Sequence, residues 1–230
     1  MAASVVLDAF AAEARSLAAA VTGEPEAAFR AASRCSPWTV GELFWHVING
    51  AGRVCGMLAE PEPAGGGLVT GAGYYQADRR FSAATNADRI ATAQRGAAGL
   101  SPDGLRAAFD RAWRSALADA GAMPPGRRVR TRHGDVMLLT EFMRTRVLEL
   151  AVHGLDLAAG LGRDPWLTEP AAGLVAELIL PGPANAAGTL RQRLGWDRAA
   201  LLAKATGRSP LTAAEGQAVQ DAGLRWLALG

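Results

Sequence analysis

Apolar residues return every three or four positions through most of this chain, the period of helices laid against a core. The pattern predicts a first helix over 4–21, with Leu7, Phe10, Ala14 and Leu17 facing inward and Gly23 stopping it. A second opens at Thr39-x-x-Glu42, a capping box, and carries Val40, Leu43, Phe44, Val47, Ala51, Val54, Cys55 and Leu58 as one wide stripe to residue 60. Residues 61–75 hold Gly65-Gly66-Gly67 and lack such a pattern, and they read as a flexible connector or a lid. A third helical stretch covers 76–99. Ser101-Pro102-Asp103 signals another start, running to 120. Alternation over 127–137 around His133-Gly134-Asp135 suggests a short hairpin, with His133 in its turn. A long helix follows over 140–159, then shorter ones over 169–180, 197–205 and 213–227. The last begins with a second capping box, Thr212-x-x-Glu215. The expected fold class is all-α: an antiparallel four-helix bundle over 1–162, with residues 163–230 as a short helical extension packed on it.

Composition narrows the function classes. The chain has 230 residues, half of them hydrophobic and 20% charged, with a formal net charge of +2. That suits one sizeable domain and argues against disorder. The near balance of charge, without a recognition motif, argues against nucleic acid. No window approaches the roughly 18 uncharged apolar residues of a membrane span. Asp8 and Glu13 occupy the region where a signal peptide would be basic then apolar, so a cytoplasmic location is expected. Cys35 and Cys55 form neither a metal spacing nor a disulfide framework, and read as core cysteines. Lys204 is the single lysine among 24 basic residues, a bias of GC-rich codon usage as in actinobacteria. Histidine is scarce. Any imidazole site draws on His46, His133 and His153 alone.

The helix over 140–159 holds the clearest chemistry. Arg146, Glu149, His153 and Asp156 fall at i, i+3, i+7 and i+10, which stacks them on one face. Glu149 and His153, four apart, can reach one ion, since such positions stand about 6 Å apart at Cβ. Carboxylate and neutral imidazole are ligands of zinc and similar divalent metals. His46, at the edge of the second helix's stripe, is the natural third ligand, and three ligands leave positions open for water or substrate. The same spacing also suits an exposed ion pair. Asp156 and Asn49 are candidates to support the histidine rings, Asp156 being equally able to pair with an arginine. Arg53, Arg132, Arg146 and Tyr75 are candidates for holding a substrate or thiol. The arginines at 127, 128, 130, 132 and 144 can equally form a solvated basic loop.

Two segments resemble a known family. Trp38-Thr39-Val40-x-Glu42-Leu43-x-x-His46-Val47 is similar to the opening of the second helix in the mycothiol-dependent maleylpyruvate isomerase family, within the DinB-like metal-binding four-helix-bundle superfamily. Arg146-x-x-Glu149-x-x-x-His153-Gly154-x-Asp156-Leu157-Ala158 resembles its second signature, and Gly207-Arg208-Ser209-Pro210-Leu211-Thr212 a recurrent tail element. The resemblance implies a DinB-like bundle with a divalent metal, commonly zinc, on His46, Glu149 and His153. It implies mycothiol, a thiol of actinobacteria, as cofactor or co-substrate. The expected function is a cis–trans isomerase or thiol S-transferase on an electrophilic small molecule, working as a monomer or homodimer. A cation stabilises thiolate at neutral pH, and thiolate adds to an electrophilic double bond. Thiolate loss after rotation gives isomerisation, and keeping the adduct gives S-conjugation. Two alternatives stay open: a metal-dependent hydrolase, or a non-catalytic bundle that binds a small molecule. Some members carry a larger α/β C-terminal domain where this chain reads as helical, which leaves the substrate open.

Overall fold

The computed structural model describes residues 3–75, 78–179 and 186–223. In chain order the helices are α1 (Ala3–Ala20), α2 (Glu26–Arg30), α3 (Val40–Ala59), α4 (Ala83–Ala97) and α5 (Pro102–Gly121). A hairpin of β1 (Arg128–Arg130) and β2 (Val136–Leu138) leads into α6 (Leu139–Gly160). Then come α7 (Glu169–Ile179), α8 (Ala186–Arg193), α9 (Arg198–Ala205) and α10 (Ala213–Asp221). Four long helices close a ring: α1 packs on α5 and α6, and α3 packs on the same two. The expected bundle is therefore present, with one small two-stranded element added.

Local chemistry explains most boundaries. Thr39 caps α3 with the reciprocal bonds of a capping box, and Thr212 does the same for α10. Ser101 caps α5, with Pro102 in the first turn. Helix α6 is the centre of the molecule. Fifteen of its 22 residues are buried, because it meets α1, α3, α7 and α9 at once. A helix enclosed on all sides can be apolar all round, so any polar residue on it needs a local reason.

Several expectations change. The helix expected over 76–99 begins only at Ala83, where Ser82 accepts from the Thr85 amide at 3.2 Å; short 3-10 turns at Gly73–Tyr75 and Arg79–Phe81 precede it. Helix α4 lies outside the ring, against α3. Its Gly96 lets the Trp45 indole approach so closely that a Cβ would stand 2.0 Å from the ring. The last helix stops at Asp221, ahead of Gly223, which turns the chain at φ 65°. The rest of that expected helix, 224–227, and Leu180 at the end of the 169–180 helix lie outside the described residues. Helices α2 and α8 have no counterpart in the sequence reading.

The loop over 61–75 is tied down rather than poised as a lid. Val69 donates to the Val136 carbonyl at 2.9 Å, the Gly71 amide to Glu141 at 2.6 Å, and Glu62 pairs with Arg127. Tyr74 and Tyr75 at its end are buried. Beyond residue 162, Thr168 donates twice to the buried Glu13 of α1, through its amide at 2.9 Å and its hydroxyl at 2.7 Å. These bonds seat α7 against α1 and α6, and α9 covers α6 and α7.

Candidate metal centre

Helices α3 and α6 run antiparallel, and their facing side chains follow from that. His46 lies opposite Glu149 and His153, while Gly50, one turn further along α3, faces Arg146. A Cβ at Gly50 would stand 3.3 Å from the guanidinium. Glu149 Oε2 lies 3.8 Å from His46 Nε2 and 3.5 Å from His153 Nε2. One ligand atom from each of the three falls within 4.8 Å of the others. Ligands on a tetrahedral zinc stand about 3.4 Å apart, given bonds of about 2.0–2.2 Å. A small inward shift of the rings would therefore close the three on one ion. A void of about 10 Å³, room for one water-sized body, lies between His46, Val47, Gly50, Arg146, Glu149 and Leu150.

Each of the three side chains is held from behind. The His153 Nδ1 nitrogen lies 3.1 Å from Asp156 Oδ2, which orients Nε2 toward Glu149. Asp156, 1% exposed, also accepts from Arg208 at both oxygens, each at 2.8 Å. The Tyr75 hydroxyl lies 3.0 Å from Glu149 Oε1 and 3.2 Å from the Thr145 carbonyl. His46 is held differently. Its ring stacks on the Trp38 indole, centroids 4.9 Å apart and planes at 28°, and meets the His153 ring edge to face at 5.1 Å. The Trp38 indole N–H in turn donates to the Ile90 carbonyl at 3.4 Å.

The charges suit this arrangement. Burial alone would raise the Glu149 carboxyl, but bonds from His153 and His46 and the charge of Arg146 outweigh it and hold it well below the usual carboxylate range. Burial also pulls His153 down, and its bonds to Asp156, Cys35 and Glu149 overcome that and lift it well above an ordinary histidine. For His46 burial wins and pushes the ring to about 4, so it is neutral at pH 7 with a free electron pair.

The remaining expected residues fall as follows. Arg146 is buried rather than open to a ligand. Its guanidinium lies over the Phe142 ring at 4.7 Å, donates to Thr145 Oγ1, and comes within 4.0 Å of Glu149. Tyr75 likewise spends its hydroxyl inside the protein. Asn49 is half-buried and, among the described residues, bonds neither histidine; the Trp38 indole covers the flank of His46 instead. Arg53 is half-buried on α3, and Arg132 stands exposed in the hairpin turn beside His133. Of the other arginines, Arg127 pairs with Glu62 and Arg144 with Glu141 and Glu177.

Three contributors were not assigned a part in the sequence reading. Trp38 appears in the signature without a role. Arg208 comes from a tail element 52 residues past Asp156. Cys35 is half-buried, and its sulfur lies 3.2 Å from Asp156 Oδ2. Cys35, His153 and Asp156 thus make a second group whose ligand atoms converge. Cys55 lies elsewhere, with burial and Asp119 pushing its thiol up to about 11.

A helical bundle with an inward His-Glu-His set is a candidate metal centre by its donor atoms alone, and the family of the chain comes from its likeness to known proteins. The fold matches the crystal structure of the mycothiol-dependent maleylpyruvate isomerase, at 16% identity and a TM-score of 0.55, over 81% of this chain and 73% of that one. A histidine-to-alanine mutant of that isomerase matches equally, at 17% identity and a TM-score of 0.55, over 76% and 68%. No curated protein matches this sequence. Residues 10–158 match the model of the mycothiol maleylpyruvate isomerase N-terminal domain, and the chain belongs to that family. Among the described residues, no helix is long and apolar enough to cross a membrane.

Proposed function

We propose that this protein is a metal-dependent enzyme that uses a low-molecular-weight thiol, mycothiol by family, to isomerise or conjugate an electrophilic small molecule in the cytoplasm. The observation that carries the reading is the convergence of His46, Glu149 and His153 within 4.8 Å, inside a chain of this family. The donor set fits a divalent ion, zinc best: two neutral-capable imidazoles and one carboxylate, with coordination positions left over. Such an ion, when bound, supplies the charge that makes a thiol lose its proton near neutral pH.

The chain's own residues set the conditions for this. Asp156 holds the Nδ1 side of the His153 ring, so that Nε2 is the nitrogen left to give up its proton and offer an electron pair to an ion. Tyr75 occupies one oxygen of Glu149 and leaves Oε2 toward both histidines. Trp38 keeps the His46 ring in plane without adding charge. No protein nucleophile is needed when the attacking sulfur arrives with the thiol.

The test combines metal content and turnover. Purified wild type is expected to hold about one divalent ion per chain, lost in His153→Ala. With an activated cis-alkene, turnover is expected only when mycothiol is added. Full activity without thiol would instead assign the centre to water activation, and wild type that never retains metal would overturn the reading.

A further inference from the structure

The wall of the helical ring opposite the metal centre carries a groove of its own. His46 stands on α3, and Glu149 and His153 on α6, whereas a cavity of about 310 Å³ lies along the seam of α1 and α5. Two contacts fix the register of that seam. A Cβ at Gly121 would stand 4.0 Å from Leu7, and Arg106 donates to the Val21 carbonyl at 2.9 Å. The two helices therefore run antiparallel, with Arg15 at the level of Trp113 and Arg114. Helix α1 lines the groove with Arg15, Ala18, Ala19 and Thr22, the i, i+3, i+4 and i+7 positions of one face. The last three are small, so the α1 wall recedes. The buried rings of Phe109 and Trp113 on α5 form the floor.

The charge of this groove is unbalanced. Among the described residues its lining holds three arginines, Arg15, Arg106 and Arg114, against one carboxylate, Asp110. Arg106 closes one end and is spent there, donating to the Val21 and Glu24 carbonyls and to Asp103. Asp110 is occupied as well: it accepts from the Trp113 indole N–H at 3.0 Å. The other end, two turns along α5, differs. Arg15 is exposed, gives its Nε to the Ala11 carbonyl at 3.1 Å, and has no ion-pair partner among the described residues. Arg114 is exposed too. Its guanidinium lies over the Trp113 ring at 4.4 Å and stands 3.9 Å from Asp110, beyond a hydrogen bond. Two guanidinium groups thus meet at one level of the groove with most of their donors unspent. The planar fork of arginine matches the oxygens of a carboxylate or phosphate, and a cavity of this size suits a small organic molecule.

We propose that the α1–α5 groove is a second small-molecule site, separate from the metal centre. It takes an organic anion whose carboxylate or phosphate sits between Arg15 and Arg114. The apolar body of that ligand lies along Ala18 and Ala19, over Phe109 and Trp113. The site shares no residue with the His46-Glu149-His153 group and depends on neither metal nor thiol.

The test is titration of the full chain, as purified and after chelation of metal, with benzoate, phenyl phosphate and neutral benzamide. Binding is read by calorimetry and by the NMR signal of the Trp113 indole N–H. At least one of the two anions is expected to bind and shift that signal, equally with and without metal, and benzamide is not. The anion that binds tighter identifies the head group. Arg15→Gln and Arg114→Gln are each expected to weaken it about ten-fold, the worth of one hydrogen bond to a charged group. Ala19→Leu fills the groove from an exposed position with a residue that suits a helix, and is expected to abolish binding in a folded chain. Arg111→Gln, exposed on α5 outside the groove, controls for net charge and is expected to change nothing. No shift at Trp113, equal binding of benzamide, binding that disappears with the metal, or unaltered affinity in the two arginine variants would each overturn the assignment.

Discussion

Glu149 and Asp156 are seven residues apart on one face of α6, both touch the His153 ring, and they end in opposite states. Asp156 is enclosed, and its oxygens are taken up by both arms of Arg208, by His153 Nδ1 and by the Cys35 thiol. Glu149 keeps about a quarter of its side chain exposed, with one oxygen toward Tyr75 and the other toward two imidazole nitrogens. The two converging groups among the described residues, His46-Glu149-His153 and Cys35-His153-Asp156, share a histidine and differ in saturation. A buried carboxylate that already has a bidentate arginine gains little from a cation. One whose second oxygen faces two imidazole nitrogens, with no arginine on it, is poised for it. The lesson is that convergence of ligand atoms does not by itself mark a metal site; the unspent valence of each atom does.

The largest effect separates the two groups outright. Glu149→Ala or His46→Ala is expected to abolish stoichiometric metal, while Cys35→Ser leaves metal content and affinity within about two-fold; elemental analysis and chelator competition read both. Loss of metal in Cys35→Ser would assign the ion to the other group.

Asp156→Asn comes next. Asp156 supports His153 from behind, and the loss of such a partner costs about 10- to 100-fold in metal affinity. It also strands the Arg208 charge, which is 11% exposed, for about 3–5 kcal/mol of stability in denaturant melts. Full metal affinity in this variant would mean that the Asp156 contact does not orient the ring.

The pH dependence is third. His153 is held well above its ordinary range in the metal-free protein, so it carries a proton at pH 7 that binding must displace. Metal affinity is expected to rise about ten-fold per pH unit until the pH passes the raised value. The same proton stabilises the folded metal-free protein fully below the unfolded value near 6.5, and that contribution is lost as pH climbs through the folded one. In Asp156→Asn the slope is expected to flatten above pH 6.5. An unchanged slope would remove Asp156 as the cause of the shift.

The smallest change is Tyr75→Phe, which deletes one bond to Glu149 Oε1. A loss of about ten-fold or less in metal affinity is expected, from a hydrogen bond to a charged group worth about 1.5 kcal/mol or slightly more.

How far the sequence reached differs by element. Helices α1, α3, α5 and α6 were legible to within a residue or two, because their boundaries rest on local signals: capping boxes, Pro in a first turn and the period of apolar residues. The loop over 61–75 was not legible. Its order comes from Glu141, Val136 and Arg127, partners far along the chain that leave no mark inside the loop. The start of α4 failed for a related reason, since it carries one buried side chain, Ala93, and hence only a faint stripe.

The site divides the same way. The sequence by itself determined that Arg146, Glu149, His153 and Asp156 share one helical face, for 3.6 residues per turn requires it. Which of those four stay open was decided only by the tertiary structure. Arg146 bonds Thr145 and lies over Phe142 on its own helix, but it is packing against α3 at Gly50 that encloses it, and Asp156 is spent on Arg208, 52 residues further along the chain. The pairing of α3 with α6 leaves Glu149 and the two imidazoles facing one another. Helix period is a property of neighbouring peptide units, whereas the neutralisation of a charge depends on whatever the rest of the chain packs against it.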